Sequence, residues 1–206
     1  MEAARGGAGL STRSRDLGIV FGDAPAGPLD AITDVAGVKV GSVTVWEGED
    51  LRTGVTVIVP SGAAVGADQL FAGCHVLNGN GELTGLEWVR ESGRLTTPIA
   101  LTNTHSVGVV RDALVAHSVR GRDDDDLSWA LPVVGETWDG LLNDINGFHV
   151  RAEHVDEAIA KASGGAVEAT EAAIVNALLA AETTTGRRGV TAYGLEPERL
   201  LEAMRR

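Results

Sequence analysis

Cysteine is nearly absent from this chain, with Cys74 the single one in 206 residues. That excludes an intrachain disulfide and a cysteine-based zinc site. Aromatic residues make up only 4%, while glycine fills 27 positions, so the core must be aliphatic and alanine-rich. Basic charge is short as well: 17 Lys and Arg against 29 Asp and Glu leave a net charge of −12. A chain so acidic repels phosphate backbones, and nucleic acid is not an expected partner. No apolar run approaches the roughly 18 residues of a membrane span, and the N-terminus MEAARGGAGLSTRSRD has no apolar signal-peptide core. The expectation is a soluble, cytoplasmic protein with no membrane partner.

Several generic motifs are missing too. Gly79, Gly81 and Gly85 are spaced GxGxxxG, one residue too long for the dinucleotide fingerprint, and no lysine follows a glycine loop as in a phosphate loop. No GxSxG elbow occurs. His149 and His154 are five apart with no glutamate in zincin spacing, and the run Asp123–Asp126 reads as a solvated acidic loop rather than a metal clamp. No metal and no cofactor are expected.

What remains is a 44% hydrophobic chain of one-domain length, ample for a buried core. Residues 1–28 read as a loose N-terminal segment ending in GDAPAGP. Val38–Val45 alternates as a half-buried strand, and Gly54–Val59 reads as a second strand stopped by Pro60, with the polar turn EGEDLRTG between them. Pro98–Leu101, Val107–Val110 and Leu131–Val134 are further short apolar runs ringed by Gly, Pro, Asn or Thr, as in a sheet. Later the period changes. Val155, Ile159 and Ala162 share one face of a helix over Glu153–Ala162, and Val167, Ile174, Leu178 and Ala181 do so over Ala166–Thr183. Pro197 fits the first turn of a last helix through Met204. The reading is α+β, strands first and helices at the C-terminal end.

Three polar stretches adjoin the apolar runs: CHVLNGNGELTG at 74–85, LTNTHSVG at 101–108 and GETWDGLLNDING at 135–147. Strand ends with glycine-relaxed backbone and amide side chains are where oxyanion donors and substrate clamps collect. Each stretch also has an ordinary reading. Asn80-Gly81 alone is equally a type I′ hairpin pair. His105 and Ser106, as neighbours at a strand start, would point to opposite faces, so His105 is badly placed to activate Ser106.

Taken together, six co-linear blocks resemble the family of L-aminopeptidase/D-esterases and β-peptidyl aminopeptidases (DmpA-like). They are RDLGIVFGDAPAGPLDAITDVAGVKVGSVTV, LRTGVTVIVP, HVLNGNGELTG, LTNTHSVGVVRDAL, LPVVGETWDGLLNDING and VEATEAAIVNALLAAETTTGRRGVTAY, covering nearly all of residues 15–195. The resemblance implies a four-layer α/β/β/α sandwich and a precursor that cuts itself before a serine, which then acts as an N-terminal nucleophile. It implies short peptide, amino-acid amide or ester substrates with a free amino terminus, and homo-oligomers. It also implies that an asparagine of the block ending at Gly147 helps form an oxyanion hole, with Asn146 the first choice and Asn143 the second; a turn-capping role before Gly147 is the alternative. Asn78, Asn80, Glu82, Asn103, Thr104 and His105 are candidate pocket residues, and Glu82 or Glu136 is the candidate receiver of a substrate α-ammonium.

The chain departs from the family pattern at one point. Ser163-Gly164-Gly165 runs directly into Ala166-Val167-Glu168, which already matches the family's last helix. The segment bearing the cleavage serine is expected to be missing, with a junction near Gly165. The chain then divides into 1–28, a 29–165 region like the family's α-subunit, and a 166–206 helical segment, forming an incomplete DmpA-type sandwich. Gly41-Ser42, inside a predicted strand, and Gly73-Cys74, outside the family's cleavage region, are poor substitutes for that serine. The expectation is an aminopeptidase-type amidohydrolase by family, inactive as this single chain. The alternative is a non-catalytic small amine- or amide-binding protein, or an oligomeric scaffold. An uncovered sheet face is expected to be apolar and to drive association.

Overall fold

The computed structural model describes residues 12–20, 27–60, 69–120, 129–163 and 178–205. Its centre is a four-stranded sheet in the order β1-β2-β5-β6. Strands β1 (Lys39–Glu47) and β2 (Leu51–Val59) form an antiparallel hairpin in which Glu47 faces Leu51 across a three-residue turn. Gly48 takes a φ of +50° at the head of that turn, a conformation glycine adopts without steric cost. Strand β5 (Ile99–Asn103) adds antiparallel to β2, and β6 (Val133–Thr137) adds parallel to β5. A parallel neighbour needs a crossover, supplied here by helix α2 (Val107–Val119). The small strands β3 (Leu70–Phe71) and β4 (Arg94–Leu95) pair with each other beside helix α1 (Leu86–Ser92).

Register decides what each face of the sheet carries. The row Gly41–Val57–Ala100–Val134 runs across all four strands on the face covered by α2 and by helix α3 (Ala152–Ser163). Val57, Ala100 and Val134 are fully buried there, joined by Val110 and Leu114 of α2 and by Val155 and Ala158 of α3. The α3 face has the spacing Val155, Ala158, Ile159, Ala162, one apolar stripe of a helix. One residue along, the row Ser42–Thr56–Leu101–Gly135 faces the other way. Its β1–β2 half is polar: the Ser42 and Thr56 hydroxyls hydrogen-bond each other at 2.9 Å. The expectation of an apolar open face therefore does not hold on that half, because hydroxyls stand at Ser42, Thr44 and Thr56.

The α+β class holds, but helices are interleaved with strands instead of following them. Val107–Val110, read as a short apolar strand-like run, is the first turn of α2. The reason is local. Asn103 Oδ1 accepts the Ser106 N–H at 3.1 Å and caps the 3-10 turn Thr104–Ser106 that leads into α2. Val107, Val110, Ala113 and Leu114 then fall on one buried helical face. The expected helix over 153–162 is α3, and Pro197 does open the terminal helix Pro197–Met204. Of the helix expected over 166–183, residues 166–177 lie outside the described residues, 178–180 are helical and 181–183 are not. Asp123–Asp126 also lies outside them. Among the described residues no helix is long and apolar enough to cross a membrane.

Candidate functional site

The parallel pair β5 and β6 points two carboxyl-terminal strand ends the same way, and the crevice beyond such ends is where open α/β sheets bind ligands. The chain leaves β5 through Asn103, Thr104 and His105, and β6 ends in Glu136 and Thr137. Thr104 Oγ1 donates a hydrogen bond to Glu136 Oε2, locking the two strand ends together. Beside them runs the 75–85 loop. Thr84 staples it to β6: its N–H donates to Val134 O at 2.9 Å, and its Oγ1 donates to Pro132 O at 2.6 Å while accepting from Val134 N at 3.0 Å. Within that loop Asn78 Oδ1 accepts the Asn80 N–H at 2.9 Å, a side-chain-closed turn rather than a strand hairpin.

Between the loop, α1 and the strand ends lies a cleft of about 820 Å³. Asn78, Asn80, Glu82 and Glu136 all line it. Its charge is unbalanced. Glu87 pairs with Arg90, whose guanidinium is held above its ordinary value by that hydrogen bond and charge first, and by Cys74 to a smaller degree. Glu82 and Glu136 have no ion-pair partner among the described residues. A cleft with two uncompensated carboxylates attracts a cation.

The other candidates are distributed differently. Asn103 is 3% exposed and has both ends of its amide in use, since Nδ2 donates to Thr53 Oγ1 at 2.8 Å while Oδ1 caps the turn. His105 stacks on Phe148, centroids 5.9 Å apart, and this contact joins the β5 end to the turn Ile145–Gly147. Asn143 is 1% exposed; its Nδ2 donates to Asp139 Oδ1 at 3.1 Å and its Oδ1 accepts from Arg52 N at 3.4 Å. It ties the loop after β6 to the β1–β2 hairpin. Asn143→Ala should therefore destabilise the fold by about 2 kcal/mol, the cost of buried partners left unpaired. Thermal melting reads this directly, and an unchanged Tm would refute it. Asn146, by contrast, is exposed, and its amide makes no hydrogen bond among the described residues. Of the two asparagines, only Asn146 presents its amide to solvent.

Some residues that shape the site carried no readable signal. Asp144 Oδ2 is 3.2 Å from His149 Nε2, and its Oδ1 is 3.5 Å from Arg187 Nη2. Arg187 N–H also donates to Leu142 O at 3.2 Å, so the small hairpin of β7 (Thr184–Thr185) and β8 (Thr191–Ala192) clasps the Asn146 loop. Nothing in the spacing links positions so far apart in sequence. Among the described residues, the three hydroxyl and thiol candidates stand as follows. Ser106 Oγ is buried without a partner, Ser42 bonds Thr56, and Cys74 is a half-buried free thiol.

Comparison with known proteins fits this arrangement. The model of peptidase family S58 matches residues 30–168. The chain belongs to peptidase family S58. The S58 chain is 47% identical over 163 residues to the β-peptidyl aminopeptidase BapA of Sphingosinicella microcystinivorans, covering 75% of this chain and 40% of that protein. It is 45% identical over 164 residues to BapA of Sphingosinicella xenopeptidilytica, again 40% of that protein's length. Among solved structures, a Burkholderia sp. β-aminopeptidase superposes with a TM-score of 0.67 at 57% identity, over 73% of this chain and 43% of that one. The L-aminopeptidase D-Ala-esterase/amidase of Ochrobactrum anthropi, described as a variant of the Ntn hydrolase fold, gives 0.67 at 40% identity over 77% and 46%. The resemblance to DmpA-like enzymes and the DmpA-type fold are thus borne out. This S58 chain spans less than half the length of each of these relatives.

Proposed function

We propose that this chain is the substrate-recognition part of an aminopeptidase-type hydrolase. Its substrates are short peptides, amino-acid amides or esters with a free amino terminus. The observation that carries the reading is Glu136, a carboxylate oriented by Thr104, unmatched by any described cation and lining the cleft at the strand ends. A protonated α-amine is the natural counter-ion there, because a charge-assisted hydrogen bond to a carboxylate is about twice as strong as a neutral one. Asn146 would supply an amide donor to the developing oxyanion, which it can do without titrating.

The same reading holds that the chain does not turn substrate over alone: among the described residues Ser42 Oγ bonds Thr56, Ser106 Oγ has no hydrogen-bond partner and Cys74 is a free thiol. A missing segment after α3 belongs to the same reading, and the chain's span of less than half of each relative's length supports it. Self-association through the Ser42–Thr56 face of the sheet is part of the proposal, and a clean monomer by light scattering would remove it. The test of activity is nitroaniline release from aminoacyl p-nitroanilides by the purified chain, beside Asn146→Ala. No release from a folded sample is expected. Steady turnover lost in Asn146→Ala would overturn the inactive reading and send the search for a nucleophile to Cys74 and Ser42. The unactivated hydroxyls and thiol also favour a second reading, a non-catalytic amine-binding protein; an amide that raises the melting temperature without being hydrolysed would support it.

A further inference from the structure

Resting on the reading that Glu136 receives an ammonium, we propose that the cleft selects amines carrying an apolar side chain of leucine size or larger. The seat for that side chain is a floor of Leu83, Leu101 and Leu131, walled by Trp88. All four line the same cleft as Glu136. The three leucines are 40%, 42% and 39% exposed, so a substantial part of each side chain faces solvent inside a concavity. Scattered single leucines on a surface need no explanation, but three converging in one cleft beside an unpaired carboxylate mark a binding surface.

The floor is built by sheet register rather than by a chance loop position. Leu101 lies opposite Gly135 in the β5–β6 pairing, and Leu83 bridges Gly135 from the other side. A Cβ at Gly135 would stand 2.8 Å from Leu83 Cδ1 and 3.0 Å from Leu101 Cδ2. Both leucine tips thus converge over position 135, in the space that its missing side chain leaves. Glu136 follows Gly135 on β6 and its side chain leaves the strand on the other side, toward Thr104, yet both residues line the one cleft. A ligand that engages both carries its amine and its apolar group on one small scaffold, as an α- or β-amino acid amide does. The wall is fixed as well, because Trp88 packs edge-on against Trp129, with centroids 4.8 Å apart.

The cleft's charges narrow the class further. Its cationic side chain, Arg90, is engaged by Glu87, so an acidic substrate side chain finds no partner while facing Glu82 and Glu136. Neutral apolar side chains are the ones that gain.

The experiment is a calorimetric titration of the full chain with glycinamide, leucinamide, phenylalaninamide, lysinamide and glutamic acid α-amide, repeated on Leu83→Ser. Leucinamide and phenylalaninamide are expected to bind about tenfold or more tighter than glycinamide, the effect of half-burying a large apolar side chain. Glutamic acid α-amide should bind most weakly. Leu83→Ser, at a partly exposed loop position, should erase most of the leucinamide advantage and leave glycinamide unchanged. Equal affinity for glycinamide and leucinamide would overturn the selectivity while leaving the ammonium reading intact, and lysinamide binding tighter than leucinamide would do the same. Binding of none of the amides would remove the ammonium reading and the selectivity together. The ligand series on the parent chain decides the matter even if Leu83→Ser fails to fold.

Discussion

Gly41→Ala is expected to lower stability by about 3 kcal/mol, the upper part of the usual range for overpacking a filled core. Gly41 lies on the covered row of the sheet, under α3. A Cβ there would stand 2.5 Å from Ala162 N and still closer to Ala158 O. Both contacts are helix backbone, so no rotamer change relieves them. The helix would have to lift, and Val155, Ala158, Ile159 and Ala162 would lift with it from the core they close. For a domain of this size about 3 kcal/mol corresponds to a fall in Tm of roughly 6–12 °C. The control is one residue away. Ser42→Ala, on the exposed side of the same strand, should stay within about 0.5 kcal/mol of the parent. A Gly41→Ala melt within 2 °C of the parent, about the shift for a small surface change, would mean that α3 does not sit on β1 as described.

Glu136→Gln is expected to have the largest effect on ligand binding. The substitution keeps shape, and the Gln carbonyl can still accept from Thr104, so the strand ends stay joined. What is lost is the negative charge beside the 75–85 loop. A charged contact of this kind is worth about 1.5–3 kcal/mol, so affinity for leucinamide should fall about tenfold or more. The salt dependence of binding should weaken with it, because screening acts on the charge that has been removed. Glu82→Gln should do less, since Glu82 is on the exposed loop, with no ion-pair partner among the described residues and nothing like the Thr104 bond of Glu136. Unchanged affinity in Glu136→Gln, with unchanged melting, would show that the ammonium is held elsewhere.

How far the sequence could be read depended on whether the signal was local. The β1–β2 hairpin, α3 and the terminal helix were legible because alternation, the helical stripe at 155, 159 and 162, and Pro197 are signals within one element. Val107–Val110 was misread as strand-like because four consecutive apolar positions satisfy either period. The decisive residue was Asn103, whose side chain caps the turn before α2. The polar stretches stood out in the sequence by their amides and glycines, and Asn78, Asn80, Glu82 and Glu136 line one cleft. The split between the two asparagines was not legible. Asn143 and Asn146 share one loop, and what separates the structural amide from the free one is a local bond to Asp139 together with a long-range one from Arg52. The same holds for Arg187, whose partner Asp144 is distant in sequence.

The hydroxyls of Ser42 and Thr56 bear on the order in which this chain folds and assembles. A sheet face of large apolar residues must be covered as it forms, and folding and association then become one concentration-dependent event. Hydroxyls can bond water or each other in the interim, so the α2–α3 side can consolidate first and leave the opposite face finished but wet. Whatever later lies against it meets a preformed surface and must displace water rather than wait for the chain to order. Association on that face would then be limited by encounter, and refolding of this chain would be first order and independent of its concentration.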